Sequence, residues 1–261
     1  MSAGKALADD LGWAERPKVV AAQGPIDPPP IRWFRDVVLE PERLEARRII
    51  SHNVSDPRSK AFDMLRTQVL QSMDANNWQV IAVTSPTPGC GKTLTTINLA
   101  LSIARQVERS ALLADMDLRK PQVARRLGVK CDAGLLGMLE GHLGFQDAVF
   151  RAHVGRHQMM VLPAETATES SSEWMASRAM RDLMHQMRKD FRGSTIILDM
   201  PPMLISDDVI ALLPQVDCVL LVTAVGMSSV EEIAECKRYL RSANVVRVVV
   251  NKVPESNSKY Y

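Results

Sequence analysis

The chain is poor in cysteine, in aromatic residues, in long apolar runs and in net charge. Its four cysteines, Cys90, Cys131, Cys218 and Cys236, are widely spaced and include no C-x-x-C pair. That pattern excludes a disulfide framework or a cysteine metal site, and fits thiols of a reducing compartment. No apolar run reaches membrane-spanning length and the N-terminus carries no secretory pattern, so a cytoplasmic chain is expected, reaching the inner membrane only through a partner. Lys plus Arg number 32 against 30 Asp plus Glu, a net charge of +2. This near balance argues against nucleic acid as a partner. A local basic group, Arg119, Lys120, Arg125, Arg126 and Lys130, is expected to be a solvated face. What is present is an ordinary apolar fraction, 46% of 261 residues, enough for one large α/β domain with a sizeable core.

Residues 1–45 are expected to be a poorly ordered arm, because Pro25, Pro28, Pro29 and Pro30 oppose a helix. Trp33 and Phe34 in that arm are candidates to dock on the domain. The folded part is expected over 46–253, with a flexible tail over 254–261. A helix follows Asp56-Pro57-Arg58-Ser59, with Phe62, Leu65, Val69 and Met73 on one face. Short apolar runs recur at 80–83, 111–114, 159–162, 195–198, 218–222 and 245–250. They are continuous, as strands buried on both faces must be. Helical patterns lie between several of them, including a stripe of Met180, Leu183, Met184, Met187 and Phe191. The predicted fold is a doubly wound, mostly parallel α/β sheet. Residues 165–173 are polar and predicted to be a loop.

Ser85-Pro-Thr-Pro-Gly-Cys-Gly-Lys-Thr93 joins the run 80–83 to a helical stripe of Ile97, Leu101 and Ala104, flanked by Ala100, Ile103 and Val107. Strand, glycine-bearing turn, Gly-Lys-Thr and helix together form the context of a phosphate-binding loop. Gly89 and Gly91 let backbone N–H groups close around phosphate oxygens, and the helix turns its positive end toward the anion. Lys92 can reach the β- and γ-phosphates, and the Thr93 hydroxyl can ligate Mg²⁺. The first glycine usual in this pattern is Pro86 here. Ligands of such a sheet bind beyond the carboxyl ends of its strands. Asp115, Asp117 and Asp199 stand at predicted strand ends, where a carboxylate can hold Mg²⁺ or accept a proton.

The loop, the segment Leu112-Leu-Ala-Asp115-Met-Asp117-Leu-Arg119 and the segment Ile196-Ile-Leu-Asp199-Met-Pro-Pro202 resemble the three motifs of bacterial tyrosine kinases. These are cytoplasmic kinases of capsule and exopolysaccharide export, within the deviant phosphate-loop MinD/ParA superfamily. Gly134-Leu-Leu136, Ser172-Glu173, Leu220-Leu-Val222 and Val249-Val-Asn-Lys-Val253 also fall where that family has similar segments. The resemblance covers about residues 50–261. It implies ATP and Mg²⁺ as cofactors, with Pro88, Gly89, Cys90, Gly91, Lys92, Thr93 and Leu94 at the phosphates and Asn251 near the adenine. It implies Lys92, Asp115 and Asp117 as catalytic residues, one aspartate acting as base. Thr93, Asp117 and Asp199 would serve the metal.

The implied activity is protein-tyrosine autokinase, with Tyr260 and Tyr261 as acceptors and a membrane polysaccharide co-polymerase as activator. The family's Glu-x-x-Arg-x-x-Arg helix pattern, which closes a ring of subunits, falls on Lys60, Asp63 and Arg66. Self-association weaker than in ring-forming relatives is therefore expected. Two alternatives stay open, a MinD/ParA-type ATPase switch and a non-catalytic nucleotide-sensing subunit of an export complex.

Overall fold

The computed structural model describes residues 34–254. Most of the expected N-terminal arm, including Trp33, and the expected acceptors Tyr260 and Tyr261 lie outside the described residues.

The eight strands are β1 (Arg35–Val38), β2 (Val80–Thr84), β3 (Ser110–Asp115), β4 (Phe150–Val154), β5 (His157–Leu162), β6 (Ser194–Asp199), β7 (Cys218–Ala224) and β8 (Val245–Asn251). They form one sheet in the order β1-β4-β5-β3-β6-β2-β7-β8. The helices are α1 (Pro41–Ala46), α2 (Ser59–Asn76), α3 (Lys92–Ala104), α4 (Val123–Leu127), α5 (Leu135–Leu139), α6 (Phe145–Ala148), α7 (Ser171–Ala176), α8 (Arg178–Asp190), α9 (Asp208–Leu212) and α10 (Val230–Tyr239). Every pairing is parallel except β4 with β5, so the mostly parallel, doubly wound sheet is borne out.

Alternate residues of the central strands serve opposite cores. Val80, Ala82, Leu112, Ala114, Ile196 and Leu198 join one cluster, which takes in Met180, Leu183, Met184 and Met187 of α8. Ile81, Val83, Ala111, Leu113 and Ile197 join the other, with Val69 and Met73 of α2 and Ile97, Ala100, Leu101 and Ile103 of α3. Burial on both faces explains why these strands have no polar alternation.

Four expectations need correction. Part of the expected arm is a strand, because β1 pairs in register with β4 from Arg35↔Phe150 to Val38↔His153. Phe34 stacks on Phe191 with ring centroids 6.3 Å apart, so its docking is on the domain itself. Strand β4 was not foreseen. It alternates buried and half-buried residues, as an antiparallel partner near a sheet edge does, and Arg151 and His153 break the apolar run. Val107 is not part of the α3 stripe, since that helix ends at Ala104 and Val107 is fully exposed. The loop predicted over 165–173 ends early, because Ser171, Ser172 and Glu173 begin α7.

The entry to β2 is bolted from below. Asp217 Oδ2 accepts from Gln79 N (2.8 Å) and Val80 N (2.7 Å), and Arg188 Nη1 and Nη2 close on the same carboxylate at 2.9 and 3.0 Å. Removing it leaves two backbone donors without their acceptor and Arg188 with only Gln215 O (2.9 Å). Asp217→Ala is expected to lower the unfolding free energy by about 2–3 kcal/mol, measured by urea denaturation; a change under ~0.5 kcal/mol would show that the bolt is not structural.

Candidate nucleotide-phosphate site

The loop 85–91 carries the chain from β2 into α3. Gly89 (φ +83°) and Gly91 (φ +96°) hold a backbone conformation that L side chains avoid. Room is short as well: a Cβ on Gly89 would lie 2.7 Å from Met227 Cε, and one on Gly91 2.2 Å from Asn251 Nδ2. Helix α3 begins without a side-chain cap, leaving its first-turn amides open to an anion. The loop is braced by its own surroundings. Ser85 Oγ donates to Thr87 O (2.9 Å), Cys90 Sγ lies 3.4 Å from Ser228 Oγ, and Asn251 Nδ2 donates to Cys90 O (2.9 Å). Pro88 and Gly89 are exposed, Cys90 and Thr93 are buried, and Leu94 is half-buried.

Three carboxylates stand at the same end of the sheet. Asp115 and Asp199 end neighbouring strands and are paired directly in register, so their side chains share one side of the sheet. Both are fully buried. Asp115 Oδ2 accepts from Gln122 N and Val123 N, each at 2.9 Å, and its Oδ1 from Asp117 N at 3.2 Å. Asp199 Oδ1 accepts from Thr96 Oγ1 at 3.1 Å, while its Oδ2 has no hydrogen-bond partner. Lys92 Nζ donates to Asp117 Oδ2 at 2.7 Å and lies 3.9 Å from Asp199 Oδ2.

One ammonium therefore faces three acids. Burial, reinforced by the charge of Asp199, pushes Asp115 up to about 7, against the pull of the Val123 and Gln122 amides and of Lys92. Burial also raises Asp199, and Lys92, Thr93 and Thr96 only partly offset it. Burial alone would lower Lys92, but Asp199, Asp117 and Asp115 outweigh it and hold the ammonium charged.

The set fits a hard divalent cation. Among the described residues no group of three metal-ligating side chains is assembled, but Mg²⁺ needs only one or two carboxylates beside phosphates and water. The partnerless Asp199 Oδ2, the Thr93 hydroxyl and Asp117 supply such oxygens. With such a cation on these oxygens, Lys92 and the loop amides can hold a polyphosphate.

The structure thus brings Gly89, Gly91, Lys92, Thr93, Asp115, Asp117, Asp199 and Asn251 to one end of the sheet. Three partners escaped the sequence reading. Thr96 and Ser228 bond Asp199 and Cys90. Asp208, fully buried, receives Ser171 and Ser172 (3.1 and 2.8 Å) and lies 3.7 Å from Arg119. Thr96 alone had a signal, one helical turn beyond Lys92. Arg119 is exposed, as expected of a solvated face, but is also held by Ser172 Oγ at 3.0 Å. A separate groove of about 430 Å³ runs between residues 35–40 of the β1 edge and residues 127–130, and shares no residue with the loop. Asp63, one of the altered ring-motif positions, is bound within the chain by Ser102 (2.6 Å), Arg66 (3.0 Å) and Arg105 (3.1 Å).

Residues 81–260 match the CobQ/CobB/MinD/ParA nucleotide binding domain family. The chain is 33% identical over 220 residues to a protein named as tyrosine-protein kinase EpsB of Ralstonia solanacearum, covering 84% of this chain but only 28% of that protein. It is 30% identical to tyrosine-protein kinase CpsD of Streptococcus pneumoniae serotype 4, covering 76% of this chain and 86% of CpsD. Among solved structures, the kinase domain of Escherichia coli tyrosine kinase ETK superposes with a TM-score of 0.70 at 26% identity, covering 80% of this chain and 81% of that one.

The raised Asp115 gives a pH signature. Between the ordinary carboxylate range and about 7 the folded chain keeps a proton that the unfolded chain releases, so this group's contribution to stability is lost as pH rises. Asp115→Asn should therefore gain thermal stability relative to wild type at pH 8, and much less at pH 5, in Mg²⁺-free buffer. An equal shift at both pH values would contradict the raised state of Asp115.

Proposed function

The chain belongs to the CobQ/CobB/MinD/ParA nucleotide-binding family, on its bacterial tyrosine-kinase branch, and from that premise we propose that it is an ATP-dependent protein-tyrosine autokinase of exopolysaccharide or capsule export. The observation that carries this reading is Lys92 held between Asp117 (2.7 Å) and Asp199 (3.9 Å) at the mouth of a glycine-built anion cradle. Phosphoryl transfer needs alignment and charge neutralisation more than covalent chemistry from the protein.

Lys92 neutralises the transferred phosphoryl group. A bound Mg²⁺ would supply further charge neutralisation, with Thr93 and Asp199 as its oxygen donors and Asp117 beside it. Of the two candidate bases, Asp117 is better placed to meet a phenol, since three backbone amides occupy Asp115 and only one, Lys120 N at 3.0 Å, occupies Asp117. Once Lys92 engages a phosphate, Asp117 is released to accept the proton. A lysine at position 87 is expected of a MinD/ParA-type switch; here Thr87 stands there, its hydroxyl 3.9 Å from Cys90 Sγ.

The proposed acceptors are Tyr260 and Tyr261. Strand β8 ends at Asn251 beside Cys90, so the chain leaves the sheet on the side of the loop. The eleven residues after Val250 reach at most roughly 36–40 Å, enough for a neighbouring copy. Asp63, satisfied by Ser102, Arg66 and Arg105 within its own chain, supports self-association weaker than in ring-forming relatives. Among the described residues no helix is long and apolar enough to cross a membrane. We assign recruitment to the cytoplasmic side of the inner membrane to a separate polysaccharide co-polymerase, which also activates the kinase.

Incubation with ATP and Mg²⁺, with and without a candidate membrane activator, followed by mass spectrometry, tests this. Phosphotyrosine is expected at Tyr260 and Tyr261. Lys92→Met should reduce it at least about 100-fold, as loss of a positioned charge in such a site does, in a chain that still folds cooperatively. Undiminished phosphotyrosine in Tyr260→Phe with Tyr261→Phe would move the acceptor to Tyr239. Near-normal turnover in folded Lys92→Met would reject the site.

A further inference from the structure

The peptide between Cys90 and Gly91 is pinned from outside the loop. Asn251 Nδ2 donates to Cys90 O at 2.9 Å, and its Oδ1 accepts from Lys252 N at 2.8 Å. These two bonds fix the amide's orientation, because a flipped side chain would set oxygen against oxygen and N–H against N–H. The residue itself is anchored, since Asn251 O accepts from Val225 N at 3.0 Å and Lys252 turns away at φ +56°.

A trans peptide points its C=O and N–H in opposite directions, and among the described residues there is no cis bond. Holding Cys90 O toward β8 therefore turns the Gly91 N–H the other way, away from β8. Gly91 has no Cβ to resist rotation of that peptide, so the restraint has to come from elsewhere. Asn251 also sits where a Gly91 Cβ would be, 2.2 Å from Nδ2. The glycine and the asparagine are thus matched: one gives the peptide freedom and room, and the other removes the freedom.

We propose that Asn251 is a positioning residue of the phosphate loop, which sets the Gly91 N–H as an anion donor and so acts on phosphate binding and not on the base of the nucleotide. The proposal rests on the reading of the loop as a nucleotide-phosphate site, and it replaces the expectation that Asn251 serves the adenine. It makes the end of an edge strand part of the phosphate cradle.

A ligand without a base separates the two roles. Binding of Mg²⁺–ADP and of Mg²⁺–tripolyphosphate to the full chain is measured by calorimetry for wild type and Asn251→Leu. The Gly91 amide resonance is followed during each titration. About a tenfold loss is expected for both ligands, the equivalent of one hydrogen bond. The ligand-induced shift of the Gly91 amide should shrink in the variant. Unchanged tripolyphosphate affinity, whether or not ADP weakens, would overturn the proposal, as would a Gly91 shift equal in both proteins. If Asn251→Leu does not fold, Asn251→Ser, too short to reach Cys90, takes its place with the same expected outcomes. A wild-type chain that binds neither ligand would reject the phosphate-site reading itself, and this proposal with it.

Discussion

Two buried carboxylates sit side by side on adjacent parallel strands, and the rest of the site answers to them. Register sets Asp115 against Asp199, and burial removes the water that would screen them. The protein offsets the cost with peptide amides from the start of α4, a threonine from α3 and the Lys92 ammonium. With Asp117 added, three acids face one ammonium, and a proton on Asp115 eases the imbalance only below about pH 7. Such a site is most stable with a cation in it, which makes it a receptor for metal-bound phosphate and not a settled ion-pair network.

Helix α3 carries this chemistry because it is tied on every side. Its first turn presents Lys92 and Thr93, and the faces behind them are buried. Asn98 within it accepts from Ile50 N (2.9 Å) and Ser51 N (3.0 Å) and donates to Arg48 O (3.1 Å) and Leu94 O (2.9 Å). Every hydrogen-bonding site of that amide facing the segment 48–51 is used. One turn later Ser102 meets Asp63 of α2. A loop whose function depends on a few tenths of an ångström is therefore held by a helix that cannot slide. The Asp63 contact also explains how a residue of unfamiliar charge at that position can be structural within one chain.

Much of this was legible in the sequence because it is local. The loop, Lys92 and Thr93 are contiguous, and Asp115 and Asp199 end continuous apolar strands whose pattern reflects burial on both faces. Illegible were features set by distant partners. Strand β1, Arg-Asp-Val-Val, is short and mostly exposed, so nothing in its composition marks it until β4 lies beside it. The Lys92–Asp117 pair spans 25 positions, and the Asp217 bolt reaches Gln79 over 138; neither spacing has a periodicity to detect. Asn251 lies at the end of the sheet where the sequence puts it, but its bond to the Cys90 carbonyl, 161 positions away, leaves no trace in sequence.

The excess of buried carboxylate should make phosphate binding depend on a divalent cation. Calorimetric titration of wild type with ATP, in excess Mg²⁺ and in chelator, tests it most directly. Affinity at least about tenfold higher with Mg²⁺ is the predicted result, with the gain largely lost in Asp199→Asn. Equal affinity with and without the cation would contradict the account.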